Sequence, residues 1–172
     1  MKRLILAAIA TAALAFSAPA WAADPTTSGT ATISGGVATL TSDFTDASTA
    51  NDFGAVTFAS LTTLSAEFNL TDGSCGGGSP RFDVALGNGQ TVGVHFGPSP
   101  NFTGCAEDTW TSTGNLIGNN DAGRYEIRPG TPFITYAQAL AAVGSQTVTS
   151  ITVAVDGGWS QTAKKQVAML RN

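Results

Sequence analysis

Apolar and polar residues alternate along most of the chain after its first 22 residues. Every second side chain is apolar in Arg81–Leu86, and the same spacing recurs in Thr91–Phe96. Because successive side chains of a strand point to opposite faces of a sheet, this period of two predicts half-buried β-strands. The pattern predicts strands near Gly29–Ser34, Val37–Ser42, Ala55–Ala59, Leu61–Leu70, Arg81–Leu86, Thr91–Phe96, Asn115–Ile117, Arg124–Arg128, Thr147–Val155 and Gln166–Leu170.

The register of the central hairpin follows from matching the apolar faces of its two strands. A two-residue turn would place Val84 opposite Gly93 and mix the faces, whereas a three-residue turn over residues 87–89 places Val84 opposite Val92. Burial decides between them, so we predict the longer turn, with Gly89 in the left-handed conformation. The outer face then has Arg81 opposite His95, and Asp83 opposite Gly93.

One helix is predicted among the strands. Thr135 and Gln138 have the spacing of a capping box, the alanine-rich segment Ala137–Ala142 favours helix, and Gly144 lies where a C-terminal cap is expected. Around ten antiparallel strands with one apolar face each predict an all-β fold: a two-sheet β-sandwich, jelly-roll-like, with one short helix. A closed barrel is the alternative.

The amino terminus has the pattern of an export signal. A short basic start, MKR, precedes an apolar run from Leu4 to Phe16, and small residues occupy positions 20 and 22. We therefore expect a signal peptide over residues 1–22, cleaved after Ala22, and one domain over residues 23–172. The protein is then secreted or periplasmic, with no integral membrane segment after cleavage; a retained signal anchor is the rival interpretation.

Charge excludes some partners. The full chain has a formal net charge of −4, and removal of Lys2 and Arg3 leaves six basic residues against twelve acidic ones, a net charge of −6. No basic cluster exists in the sequence after residue 22 beyond Lys164-Lys165, which argues against nucleic acid or an anionic membrane as a partner.

The two cysteines, Cys75 and Cys105, predict one disulfide in an exported chain. A metal site is not expected from them, because the sequence has a single histidine and no CxxC motif. Closing a loop of about 30 residues stabilises a fold by roughly 3–4 kcal/mol on the chain-entropy model. Three glycines after Cys75 allow the tight turn that leads into the central hairpin.

The outer face of that hairpin is the first candidate binding surface. It brings Arg81, Asp83 and His95 together with Thr91, and the small side chains between them predict a shallow depression (Ala85 and Gly93). A planar guanidinium can hydrogen-bond sugar hydroxyls in pairs. The alternative is a solvated sheet face with a weak Arg81–Asp83 contact. His95 has no triad partners in the sequence, so we predict no catalytic role for it.

Two tryptophans are the second candidate. Trp110 and Trp159 both lie in loop-like sequence, where an exposed indole stacks against the C–H groups of a sugar. The alternative is that each indole plugs an open end of the sandwich.

The carboxylates are candidates for metal binding and for catalysis. No metal site or cofactor is predicted. A structural calcium is the alternative, because separate loops offer oxygen ligands: Asp43, Asp46, Asn119-Asn120-Asp121 and Asp156. Glycoside hydrolysis needs two carboxylates at a fixed separation, and spacing alone selects no pair among Glu67, Asp83, Glu107 and Glu126.

Several segments together resemble a group of small exported bacterial β-sandwich domains that are similar to jelly-roll carbohydrate-binding modules. They are "SCGGGSPRFDVAL", "EDTW" after the second cysteine, "TYAQALAAVG" and "VTSITVAVDGGWSQ", within Leu61 to Leu170. The turn from Asp156 to Gln161 is the most specific of them. The resemblance implies a non-catalytic module for extracellular glycan. The alternatives are a self-associating envelope or matrix protein and a glycan-acting hydrolase that would use Glu67 or Glu126.

Overall fold

The computed structural model describes residues 26–27, 29, 31–34, 37–41, 45–49, 53, 55–156 and 167–171. The predicted signal peptide and its cleavage site lie outside these residues. The described part of the chain forms one α-helix, α1 (Tyr136–Val143), one 3-10 turn (Phe58–Ser60), and these strands: β1 Thr26–Thr27, β2 Thr32–Ser34, β3 Val37–Thr41, β4 Thr45–Thr49, β5 Glu67–Asp72, β6 Arg81–Leu86, β7 Thr91–His95, β8 Thr111–Ser112, β9 Tyr125–Arg128, β10 Val148–Val155 and β11 Val167–Arg171.

The strands pair in two antiparallel sheets. The six-stranded sheet has the order β1-β4-β10-β6-β7-β9, and the five-stranded sheet has the order β2-β3-β11-β5-β8. Eight of the strands pair in a nested way: β3 with β11, β4 with β10, β5 with β8, and β6 with β7. The predicted all-β character and antiparallel pairing are therefore confirmed.

Side chains from both sheets meet in one hydrophobic core. The ring of Phe68 on β5 lies 5.4 Å from that of Phe96, which follows β7, and Phe96 lies 4.8 Å from Phe82 on β6. The helix contributes Ala139 and Val143 to the same core. The apolar faces of the two sheets thus exclude water together, which is the main favourable contribution to folding.

The central hairpin has the predicted register. Val84 lies opposite Val92, Arg81 opposite His95, and Asp83 opposite Gly93. The turn spans three residues, because the amide of Leu86 donates to the carbonyl of Gln90. Gly89 has a φ of 84°, the left-handed conformation that was predicted.

Two predicted strands are wrong. At Ala55–Ala59 only Thr57 makes an isolated bridge, and the chain then enters the 3-10 turn. Asn115–Ile117 forms no strand, because side-chain oxygens there accept hydrogen bonds from the neighbouring segment in place of backbone carbonyls. The amide of Leu64 donates to Asn115 Oδ1 at 3.0 Å, and the amide of Ala66 donates to Thr113 Oγ1 at 2.9 Å.

Other strand bounds also differ from the prediction. The predicted Leu61–Leu70 strand is replaced by β5, which begins only at Glu67. The sequence pattern did not predict three strands that are short or largely polar: β1, β4 and β8.

The helix and the disulfide are as predicted. Thr135 Oγ1 accepts a hydrogen bond from the amide of Gln138, and the Gln138 side chain reaches back to the amide of Thr135. Gly144 ends the helix with a right-handed φ of −54°, so it is not a left-handed cap. Cys75 and Cys105 are bonded, with their Cα atoms 5.1 Å apart. Among the described residues, no helix has the length and hydropathy needed to cross a bilayer.

Candidate functional site

The outer face of the six-stranded sheet is a polar surface built from four neighbouring strands. Cross-strand pairing aligns its side chains in rows, since partners in adjacent strands point to the same side. We call this surface the polar face; its rows are Ala154, Arg81 and His95; then Thr152, Asp83, Gly93 and Glu126; then Ser150, Ala85, Thr91 and Arg128.

Ion pairs connect the middle of the polar face. Asp83 Oδ1 accepts hydrogen bonds from Arg81 Nε, at 2.8 Å, and from Arg128 Nη2. Arg128 Nε lies 3.2 Å from Glu126 Oε1, in a geometry that makes an ion pair but no hydrogen bond. Arg81 Nη1 donates to Asp156 Oδ2. Each guanidinium is therefore held by two carboxylates, which fixes its orientation before any ligand binds.

Arg81 is buried, with 7% of its surface exposed. Burial disfavours its charged form, but the nearby charges and hydrogen bonds of Asp83 and Asp156 outweigh that effect and raise the pKa of Arg81 above its usual value. Arg81 thus remains a cation in the interior, and its hydrogen-bonding capacity is directed to protein carboxylates.

His95 is also buried, with 2% of its surface exposed. The rings of Phe102 and Phe133 lie 5.7 and 6.2 Å from the imidazole. A Cβ added at Gly78 would stand 3.1 Å from Nε2, so the glycine backbone closes over the ring. This end of the polar face is covered by loops.

Glu126 is the acidic neighbour of His95. Nε2 of His95 lies 3.8 Å from Glu126 Oε1, too far for a hydrogen bond. The pKa of Glu126 lies below its usual range, chiefly because of His95; burial of the carboxyl opposes the shift, and the charge of Arg128 reinforces it. Glu126 therefore remains a carboxylate to a lower pH than an exposed glutamate.

The opposite end of the polar face is open and forms a cavity of about 450 Å³, which we call the polar groove. Its lining residues are Asp83, Ala85, Gly89, Thr91, Arg128, Pro129 and Thr152. Among the described residues, no hydrogen bond reaches Asp83 Oδ2, Arg128 Nη1 or the hydroxyls of the two threonines. The groove therefore offers fixed donors and acceptors that the protein itself does not use.

The predicted site residues do not all meet. Asp83 lines the polar groove, whereas Arg81 and His95 lie deeper than an outer sheet face implies, because loops and Asp156 cover them. Trp110 is half-buried and precedes β8, at the edge of the five-stranded sheet, so it is not part of the polar face. Trp159 lies outside the described residues.

Arg128, Glu126 and Thr152 also belong to this site, although the sequence pattern did not place them there. A signal for the first two existed, since Arg124, Glu126 and Arg128 alternate with apolar residues in a predicted strand. Their side chains had to share one face. The face of the sheet on which these side chains lie, and the residues beside them, depend on the pairing of β9 with β7.

In the part of the chain that the structure describes, no three His, Cys, Asp or Glu side chains come together as a metal cluster. Asp156 is paired with Arg81, and Asp121 Oδ2 accepts a hydrogen bond from Arg124 Nη2 at 2.7 Å. Asp43 lies outside the described residues, and Asp46 is on β4.

A second, aromatic cavity of about 380 Å³ lies beside the covered end and includes Asn101, Gly123 and two phenylalanines in its lining. Phe102 and Phe133 both have left-handed backbone, with φ of 54° and 55°, which is strained for bulky residues. The Arg124 guanidinium stacks 4.6 Å from the centre of the Phe102 ring. Phe133 is 69% exposed.

Comparison of the chain with known protein families, with curated proteins and with solved structures finds no match.

Proposed function

We propose that this protein is a secreted or periplasmic, non-catalytic binding module for glycan, built as a jelly-roll β-sandwich. The observation that carries the proposal is the polar groove. There, a carboxylate and a guanidinium, oriented by ion pairs, adjoin two hydroxyls above a floor of small residues.

The strand pairing supports the fold part of the proposal. Folding one long antiparallel hairpin over itself pairs its first strand with its last, its second with its second last, and so on inward. The pairs β3–β11, β4–β10, β5–β8 and β6–β7 follow this rule, and β9 adds an edge strand beside β7. This nested order divided between two sheets is typical of a jelly roll.

The chemistry of the groove supports a sugar as the ligand. A sugar ring presents hydroxyls that both donate and accept, and the groove offers Asp83 Oδ2 as an acceptor and Arg128 Nη1 as a donor. Because ion pairs already restrict both side chains, little side-chain entropy is lost on binding. The cavity is within the size range of small-ligand sites.

The electrostatics of the two carboxylates support binding without catalysis. Asp83 and Glu126 lie in one row on either side of Gly93, and both contact Arg128. A glycosidase needs a general acid whose pKa is raised toward neutrality. The pKa of Glu126 is shifted in the opposite direction. Glu67 lies on β5, in the other sheet.

Screening the purified mature protein on a glycan array tests the proposal. Asp83→Asn is the groove variant, and Trp110→Ala and Trp159→Ala test the tryptophans of the sequence analysis. We expect binding by the wild type, at least about tenfold loss in Asp83→Asn, and little change in Trp110→Ala. An absence of binding to any glycan, or binding that Asp83→Asn leaves intact, contradicts the proposal.

Self-association as an envelope or matrix protein is the second candidate. The observation that favours it is the exposed Phe133 beside the aromatic cavity, an apolar surface that a second copy would cover. Light scattering at high protein concentration tests it, with Phe133→Asn as the variant because asparagine tolerates the left-handed backbone. A wild-type monomer rules this candidate out; an oligomer that the variant dissolves supports it.

A further inference from the structure

We propose that the polar groove selects uncharged sugars that present two adjacent hydroxyls, and that it excludes uronic acids and other anionic sugars. The inference rests on the proposed glycan-binding function and names the class of ligand within it. It follows from which polar atoms of the groove remain free and from the charges around them.

The two charged side chains of the groove leave one hydrogen-bond acceptor and one hydrogen-bond donor without a partner in the part of the protein that the structure describes. Oδ1 of Asp83 is occupied by Arg81 Nε and Arg128 Nη2, which leaves Oδ2 as a pure acceptor. Arg128 Nη2 donates to Asp83 and Nε lies against Glu126 in an ion pair, while Nη1 has no hydrogen-bond partner among the described residues and remains a pure donor. Two neighbouring hydroxyls match this pair, since one donates to the carboxylate while the other accepts from the guanidinium. Where a ligand carboxylate takes the place of one of these hydroxyls, it offers acceptors only and leaves Oδ2 without a donor.

The charges act in the same direction. The network of the polar face contains two guanidinium groups, Arg81 and Arg128, and three carboxylates, Asp83, Glu126 and Asp156. Arg128 is therefore compensated on both sides and acts as a hydrogen-bond donor rather than as an unpaired positive charge. An anionic ligand in the groove is repelled by the negative charge of Asp83, and the net charge of the whole chain is also negative.

The floor allows a ring to approach the strands. Ala85 and Gly89 line the groove with minimal side chains, and the hydroxyls of Thr91 and Thr152 border it. Thr152 lies directly opposite Asp83 in the sheet, and Thr91 lies opposite Ala85. These hydroxyls either donate or accept, so they extend a neutral hydrogen-bonding surface without adding charge.

The test compares glycans of matched linkage that differ only at C6, where the neutral sugar has a hydroxymethyl group and the uronate a carboxylate. The probes are β-1,4-linked mannan against β-1,4-linked mannuronan, and β-1,4-linked glucan against β-1,4-linked glucuronan, as oligosaccharides of equal length titrated calorimetrically into wild-type protein at 20 mM and 500 mM salt. We expect the neutral member of any pair that binds to bind at least about tenfold more tightly at low salt. The gap should shrink at high salt, because screening weakens the repulsion of the uronate.

Two variants connect the selectivity to the groove. Asp83→Asn should reduce the affinity ratio of neutral to uronate glycan severalfold. Glu126→Gln should also reduce this ratio, although Glu126 does not line the groove. Asp108→Asn, at an exposed carboxylate, is the control. Circular dichroism establishes that each variant is folded, and Glu126→Gln remains decisive if Asp83→Asn does not fold. A uronate that binds as tightly as its neutral partner overturns this inference and leaves glycan binding standing. Failure of all probes and of the array to bind overturns both.

Discussion

Arg81 and Asp156 form an ion pair between residues 75 positions apart in the sequence, and almost all of both side chains is buried. Arg81 is the first residue of β6, and Asp156 follows the last residue of β10. The amide of Asp156 also donates to Ser79 Oγ at 2.8 Å. The end of one central strand is therefore tied to the beginning of its neighbour.

Asp156→Asn should destabilise the protein, because Arg81 would stay buried with one charged partner fewer. We expect the free energy of unfolding to fall by about 3 kcal/mol, the lower end of the range for breaking a buried ion pair. Urea denaturation measures the change. Asp108→Asn, the same substitution at an exposed position, should stay within about 0.5 kcal/mol of the wild type. Equal effects of the two substitutions would show that the Arg81–Asp156 pair does not stabilise the fold.

Removal of the disulfide should lower stability without changing the sheets. The bond joins cysteines with a sequence separation of 30, so the double substitution to serine should cost about 3–4 kcal/mol through the entropy of the unfolded chain. A thiol assay on the native protein should detect no reactive cysteine. Two titratable thiols in the protein purified without reductant contradict the assignment.

Gly97→Ala should destabilise the loop that covers His95. A Cβ at this position would stand 2.8 Å from Phe102 Cα and overlap its carbonyl group, so backbone would have to move. We expect a loss of roughly 2 kcal/mol in thermal unfolding. Gly87→Ala is the control, since its Cβ would meet the exposed side chain of Thr147. A larger loss in the control than in Gly97→Ala is the contrary result.

Stability at acidic pH should depend on Glu126. Its pKa is lower in the folded chain than the ordinary value of 4.5, so its contribution is fully present above that value and is lost as pH falls through the lower, folded value. Glu126→Gln should therefore flatten the fall in unfolding free energy below pH 4.5. Urea midpoints at pH 7, 4.5 and 3 measure this. The exposed Glu107→Gln serves as the control, and an identical acid profile in wild type and Glu126→Gln contradicts the prediction.

The sequence was sufficient where local chemistry determined structure. Alternation in β6 and β7 set the hairpin register, since a shift by one residue would have exposed Val84 and buried Asp83. The capping pair Thr135 and Gln138 located the helix. In both cases the deciding residues lie close together in the chain.

The site was predictable only in part, because burial on the polar face depends on distant loops. His95 is covered by Phe102 and Phe133, whose strained loops have no periodic pattern to read. Arg81 finds its second carboxylate after β10. The alternation showed which side chains share a face, but not which end of that face stays open.

Calorimetric titration of the best-bound neutral glycan into wild type and Ala85→Ile tests the central claim most directly. Isoleucine fills the floor of the polar groove with a side chain that favours strands, at a residue that takes part in none of the ion pairs of the network. We predict at least about tenfold weaker binding with unchanged thermal stability, while Thr111→Ile on the other sheet binds like the wild type. Undiminished affinity in a folded Ala85→Ile protein would contradict the claim that sugar binds in this groove.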